Sequence, residues 1–399
     1  MDTRLRPLIF LPRYWPHLGG AEIHTRRLAQ ELSQHCDPSI ACIGTEEIGE
    51  IDRAYATGQT RSYSDTQLAV TELRASELAR IPLAALSAIW ESGRLPRGVY
   101  RKLTAHLLKQ QFRSMASKHD LIHGVYNGFT ASAVAASRSG LPFVWTPLVH
   151  AEHKPGTAWS SPQFLKLYQR ADALIAMTEF ERDWLIRHGA KADCVHVCPA
   201  APMQESQGQA GRFRTQYDLG DSPMVLFLGR LVPSKGFQFL LDASAQIWEH
   251  HPDTRIVLIG DVDDAARDVV NRHGDKRIIV TGRLSDGERD DALAACNMLC
   301  VPSDQESLGV IYLEAWAQGK PVIAADIDVL KTLIDDGETG VLVQRSADSI
   351  SKAVKALLDN PQRALVMGLE GQNRVHTQYN WERTSQKVLE IYNHIARTR

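Results

Sequence analysis

Short apolar runs alternate with amphipathic stretches along nearly the whole chain, as in parallel sheets covered by helices. In the first half, runs at Leu8–Leu11, Ser39–Ile43, Leu121–His123, Phe143–Thr146, Ala173–Met177 and Cys194–Cys198 predict strands. The series restarts at Met224–Leu228 and continues through Arg255–Ile259, Ile278–Thr281, Met298–Val301, Pro321–Ala324 and Gly340–Val343. Between the two series, residues 206–222 are polar and Gly-rich and read as a linker. Residues 46–100 fit the alternation poorly and read as an insertion or mobile region. From Trp381 to Arg397 the apolar positions recur at helical spacing, so residues 381–399 are expected to form an amphipathic helix packing back toward the first half. Internal repeats and low-complexity tracts are absent.

At 399 residues the chain is too long for one hydrophobic core. The pattern predicts an α/β protein of two Rossmann-like domains facing across a cleft, residues 1–205 and 223–380. A net charge of −2 gives no reason to expect a nucleic-acid partner. No apolar run approaches the roughly eighteen residues of a membrane span. At the N-terminus Leu8–Leu11 is cut short by Pro12 and Arg13, which fits a first buried strand better than a signal peptide. Of the six cysteines, Cys194/Cys198 and Cys296/Cys300 each have three residues between them, not the two of a zinc knuckle. Both pairs lie in or beside strand-like runs. Together with Cys36 and Cys42 they read as buried reduced thiols of a cytoplasmic protein.

The segment from Pro302 to Ala315, PSDQESLGVIYLEA, holds the densest candidate chemistry. Glu306 sits in a loop and Glu314 about a turn and a half into the helix that follows. Gly309 between them lets backbone approach a ligand closely. Free N–H groups at a helix start suit a phosphate, whereas paired glutamates on helices are also common as solvated charges. A Gly19-Gly20 turn before another helical run offers a second anion site, or simply a turn; it lacks the G-x-G-x-x-G spacing of nicotinamide binders. After Met224–Leu228 come Arg230 and Lys235, at the strand end where open α/β sheets bind ligands. A planar fork and a point charge together neutralise a diphosphate; the plainer alternative is two surface cations.

His150 follows the strand Phe143–Thr146, with His153 as competitor and His123 as a weaker one. An imidazole there hydrogen-bonds a sugar hydroxyl or is a solvated loop residue. Asp261-Val262-Asp263 and Asp326-Ile327-Asp328 resemble a D-x-D metal clamp, but Arg and Lys can meet diphosphate charge instead, so no metal is expected. The basic run Arg97, Arg101, Lys102, His106, Lys109, Arg113 is either a membrane-contacting or a solvated helix face.

Taken in order, these segments resemble the glycosyltransferases of the GT-B fold, specifically family four, the retaining group 1 enzymes. The resemblance runs through Gly19-Gly20-Ala21-Glu22, the stretch Ala171–Glu179, Gly229-Arg230 with Lys235-Gly236, and Val301–Ser303 with Glu306–Gly309 and Glu314-Ala315. It closes on Gly319–Ala324 and Asp336–Gly340. It implies that Arg230 and Lys235 hold the donor diphosphate, Glu306 the donor sugar and Glu314 the ribose. Backbone at Gly19-Gly20 and at Leu308-Gly309-Val310 would complete the phosphate cradle. His150 matches the active-site histidine, with the usual Thr-x-His spacing stretched. The Asn-Gly after the last strand of the first domain is replaced by Ala200-Ala201, and the Gly-rich turn after Ile259-Gly260-Asp261 continues as Val262-Asp263-Asp264. These departures leave the diphosphate residues in place and bear on selectivity for base or sugar.

The reaction implied is sugar transfer from a nucleotide-diphosphate donor, UDP-sugar by default, to a hydroxyl on a glycan, glycolipid or small molecule, with anomeric configuration retained. With no carboxylate placed as nucleophile, front-face attack is favoured over double displacement. The rivals are a nucleotide-sugar epimerase, a phosphorylase, for which no pyridoxal-lysine motif is present, and a silent nucleotide-sugar-binding partner protein. The last predicts erosion of the charged cluster, yet Arg230, Lys235, Glu306 and Glu314 all stand in the sequence. Cofactors are not expected; peripheral membrane contact is compatible with a lipid-linked acceptor.

Overall fold

Pro7–Phe10 forms a strand with every residue buried, the state of a parallel strand covered on both faces. It is β1 of a computed structural model that describes residues 4–16, 19–44, 54–55, 59–75, 97–126, 140–150, 158–204 and 207–398. The chain divides into two units. One takes in the sequence up to Val149, the stretch ending at Cys198 and everything from Trp381; the other takes in His150 and runs from Pro199 to Asn380.

In the first unit, β1 is joined by β2 (Ser39–Cys42), β3 (Arg61–Asp65), β4 (Leu68–Glu72), β5 (Leu121–Val125), β6 (Phe143–Thr146), β7 (Ala173–Ala176) and β8 (Val195–Val197). Their order is β3-β4-β2-β1-β5-β6-β7-β8. Neighbours are parallel except β3, which runs antiparallel to β4. The winding reverses between β1 and β5, where open α/β sheets gather ligands at their carboxyl ends.

The hairpin β3–β4 lies inside the region read as an insertion. It extends the sheet at one edge, with Arg61 to Ser64 exposed and Leu68 and Val70 buried. The rest of residues 46–100 falls largely outside the described residues. The helix Gly20–Leu32 follows β1 by way of Gly19, and the closing helix Trp381–Arg397 packs along it. That closing helix buries Val388, Ile391, Tyr392 and Ile395, and its Trp381 ring lies 5.5 Å from the ring of His24. The basic helix Arg97–Ala116 is attached to the sheet through Leu108 and Phe112, the latter 4.8 Å from the ring of Phe10.

The second unit is an all-parallel sheet of β9 (Met224–Leu228), β10 (Arg255–Ile259), β11 (Ile278–Gly282), β12 (Met298–Val301), β13 (Val322–Ala325) and β14 (Gly340–Val343). The order β11-β10-β9-β12-β13-β14 puts its winding reversal between β9 and β12.

Residues 206–222 need a correction: instead of a linker, their described part belongs to the second unit. The helix Ala210–Gln216 packs on the helix Asp286–Ala295. Polar anchors hold it. Arg212 pairs with the nearly buried Asp291, and Arg214 donates to the carbonyls of Gly220, Ser222 and Ala295. Phe213 and Leu219 are the buried apolar contacts.

All six cysteines are free thiols, five buried and Cys194 half-buried. Burial pushes Cys42 up to about 12 and Cys198 and Cys296 up to about 11, which leaves them un-ionised at neutral pH. Among the described residues no helix is long and apolar enough to cross a membrane.

Candidate active site

The fully buried strand β9 ends at Leu228, and the chain leaves it through Gly229 to Arg230, whose side chain is exposed and has no hydrogen-bond or ion-pair partner among the described residues. A single 3-10 turn, Pro233–Lys235, then presents Lys235. From the adjacent strand β12 a loop brings up Glu306, only 9% exposed. Lys235 Nζ donates to Glu306 Oε1 at 2.6 Å. A cation and a carboxylate thus meet over the reversal point of the second sheet, with the Arg230 guanidinium on the same loop as Lys235. Charge-assisted bonds of this length are among the stronger polar contacts in proteins.

Leu308 is buried, and Gly309 caps the helix Val310–Ala317 with φ of 88°, a left-handed conformation. A Cβ at Gly309 would lie 2.6 Å from the Tyr312 ring, so both backbone and space call for glycine. Tyr312 is locked by its hydroxyl, which donates to Val301 O at 2.6 Å. Half-buried Val310 opens the helix. Glu314 lies one turn on and is 3% exposed. It accepts from Arg289 Nη2 at 2.8 Å, and Gln204 Nε2 donates to its backbone carbonyl at 2.7 Å. Arg289 is raised above its ordinary pKa by the Glu314 charge, opposed by burial. The two glutamates therefore have separate cations: Lys235 for Glu306 and Arg289 for Glu314. Arg289 carries no motif in the sequence that would have picked it out.

In the first unit, Gly19 is the extended N-cap of its helix and caps it with no side chain. Glu22 folds over this end, close enough that a Cβ on Gly19 would lie 2.2 Å from Glu22 Oε2, and Arg13 Nε neutralises it at 2.9 Å. Gly20 opens the helix. The helix start read as an anion site thus faces a carboxylate of its own chain. His150, half-buried beyond β6, groups with the second unit. The backbone just before it is fixed by Glu181, which accepts from Val149 N–H and from Met177 N–H, each at 2.7 Å. Burial pushes this carboxyl up to about 7 despite those two bonds. Thr178 caps the helix Glu179–Arg187, on which Glu181 lies, by accepting from Glu181 N–H. The signal for Glu181 was the T-x-x-E spacing of a capping box, Thr178 to Glu181.

His123 is corrected to a core residue. It sits mid-strand in β5, fully buried, with Nδ1 2.6 Å from the Tyr392 hydroxyl and Nε2 2.7 Å from the Thr146 hydroxyl. His153 lies outside the described residues. The aspartates of the two D-x-D triplets have partners of other kinds. Asp261 pairs with Arg283 at 2.7 Å, Asp263 caps the helix Asp264–His273, and Asp326 and Asp328 both pair with Lys331.

Two family models match, and between them they span most of the chain. One, described as glycosyl transferases group 1, matches residues 211–374; the other, a glycosyl transferase 4-like domain, matches residues 19–201. Among curated relatives, alpha-maltose-1-phosphate synthase of Mycolicibacterium smegmatis is 26% identical, covering 98% of this chain and all of the relative. D-inositol 3-phosphate glycosyltransferase of Kineococcus radiotolerans is 28% identical over 74% of this chain and 76% of its own. Among solved structures, sucrose-phosphate synthase from Thermosynechococcus elongatus superposes with a TM-score of 0.78 at 21% identity, covering 99% of this chain and 100% of that one. Anabaena HepE in complex with UDP-glucose has a TM-score of 0.74 at 18% identity, covering 98% of this chain and 100% of that one. With two Rossmann-like units and both halves matched in order, the chain belongs to the GT-B glycosyltransferases of group 1.

Proposed function

We propose that the protein transfers a sugar from a nucleotide-diphosphate donor, a UDP-sugar by default, to a hydroxyl acceptor, with retention at the anomeric carbon and without a metal ion. The observation that carries this reading is the Lys235–Glu306 pair at the reversal between β9 and β12, with exposed Arg230 on the same loop as Lys235. Two cations on one loop match the two charges of a diphosphate, and Glu306 supplies an acceptor for sugar hydroxyls. Glu314, paired with Arg289, suits a vicinal diol such as ribose. The same proposal gives His150 a sugar hydroxyl and, on the first unit, Gly19 and Gly20 backbone N–H groups for phosphate.

In the reaction the acceptor oxygen attacks the anomeric carbon from the side of the leaving group. The bond from that carbon to the phosphate oxygen breaks, and the departing phosphate takes the acceptor's proton. Lys235 and Arg230 stabilise negative charge as it develops on the diphosphate, a fixed electrostatic contribution that needs no reorganisation. The acceptor is a hydroxyl of a glycan, glycolipid or small molecule, compatible with a cytoplasmic enzyme working at a membrane surface.

The test is a panel of UDP-, GDP- and ADP-sugars, scored by thermal stabilisation and by nucleotide release in EDTA. Stabilisation by one base class and full turnover in chelator are expected. Activity lost in EDTA and restored by magnesium would remove the metal-free part of the proposal. Absence of stabilisation by every nucleotide would remove the donor.

A further inference from the structure

Lys235 and Glu306 stand on loops that leave different strands, and neither loop is held by a strand ladder at that point. Arg345, two residues beyond the edge strand β14, reaches both. Its Nη2 donates to Pro233 O at 2.7 Å and to Ser234 O at 3.3 Å, the two carbonyls just before Lys235. Its Nε donates to Pro302 O at 2.9 Å, and its Nη1 pairs with the Asp304 carboxylate, on the loop that leads to Glu306. The loops also meet directly, through Asp304 N–H to Ser234 O at 2.9 Å. At Gly236 (φ of 77°) a Cβ would lie 2.3 Å from Pro302 O. The guanidinium is steadied over the Phe239 ring, 5.0 Å from its centroid.

We infer that Arg345 is a positioning residue for sugar transfer, a planar clamp that sets the separation of Lys235 and Glu306 by holding the backbones that carry them. The inference rests on the proposed function, since it assigns Arg345 to the same site. Its contacts to these loops run through carbonyls and Asp304, so it acts on the pair through the loops. Only a guanidinium offers donors in a fork wide enough to serve both loops at once; an ammonium is a single point that must choose. The contacts span 41 to 112 residues of sequence, which is why no local motif announces them. Misplacement of a catalytic pair by about 1 Å costs on the order of a hundredfold in rate.

The experiment compares Arg345→Ala, Arg345→Lys and the double variant Arg345→Ala/Lys235→Ala with the wild-type enzyme. It reads UDP affinity, nucleotide-sugar turnover, melting temperature, and turnover with millimolar guanidinium added. Arg345→Ala is expected to lose about ten- to a hundredfold in kcat/KM. Guanidinium should restore part of that loss, and Arg345→Lys should recover little. In the double variant the two losses should fall well short of multiplying, because they act through one pair. Should Arg345→Ala fail to fold, Arg345→Lys carries the same expectations of lost turnover against retained melting temperature.

Wild-type turnover in Arg345→Ala would overturn the inference. So would a loss that only follows the folded fraction, without guanidinium rescue and with multiplying effects. If the wild-type chain neither binds UDP nor turns over any nucleotide sugar, the proposed function fails and the inference falls with it. If the wild type is active and Arg345→Ala equals it, the inference alone falls.

Discussion

Lys235 Nζ donates to Glu306 Oε1 across 2.6 Å, although 71 residues separate them in sequence. Glu306 is almost fully buried, and Lys235 is its ion-pair partner. Lys235→Ala should lower turnover about a hundred- to a thousandfold by removing charge stabilisation from the leaving diphosphate. It should also cost about 1–3 kcal/mol of stability by leaving a carboxylate unsatisfied. Adding Glu306→Gln should recover most of that stability and none of the activity. Denaturant midpoints together with nucleotide release check both halves, and recovery of activity in the double variant would count against the assigned roles.

Arg289 and Glu314 form a second pair, at 2.8 Å, with Glu314 only 3% exposed. A contact to ribose is made equally in ground and transition states, so its loss raises KM more than it lowers kcat. Arg289→Met should weaken UDP binding about tenfold while changing kcat by less. A UDP titration by calorimetry reads this directly. Unchanged affinity would show that the Arg289–Glu314 pair does not grip the nucleotide.

Three buried groups give the protein a specific dependence on pH. Burial lowers His24 to about 4 and His123 to about 3, so both are neutral in the fold and the unfolded chain takes up protons first. Their contribution to stability is whole above the usual histidine value of 6.5 and is lost as pH falls toward 4 and below. Glu181 acts in the opposite sense: raised to about 7, it contributes most below 4.5 and loses that contribution as pH rises through 7. The wild-type slope therefore mixes both signs, and a substitution separates them. His24→Phe keeps a ring beside Trp381 and removes one titration. Near pH 5 it should be about 2 kcal/mol less acid-labile than wild type, measured as the change in stability from neutral pH. Parallel melting curves for the two proteins would contradict this.

The strands were legible wherever burial on both faces left an uninterrupted apolar run, as in Met224–Leu228, Arg255–Ile259 and Met298–Val301. The hairpin β3–β4 was hidden because Arg61 to Ser64 are exposed on an edge strand and its turn at Thr66 lacks glycine or asparagine. The helix Ala210–Gln216 was hidden for a related reason: it is fastened by Arg212 and Arg214 more than by an apolar face. At the site, residue types and loop positions could be read from motifs. The pairing of Lys235 with Glu306, of Arg289 with Glu314, and the reach of Arg345 could not, because each joins distant segments. His123 shows the converse, a polar residue at a strand whose hydrogen bonds to Tyr392 and Thr146 place it in the core.

The most direct test follows the sugar itself. Wild-type and Lys235→Ala enzymes are given the nucleotide sugar selected by the panel together with an acceptor, in the presence of chelator, and the product is examined by proton NMR. The account predicts that the wild-type product keeps the donor's anomeric configuration and that the Lys235→Ala enzyme makes almost none. An inverted product, or equal product from both enzymes, would contradict it.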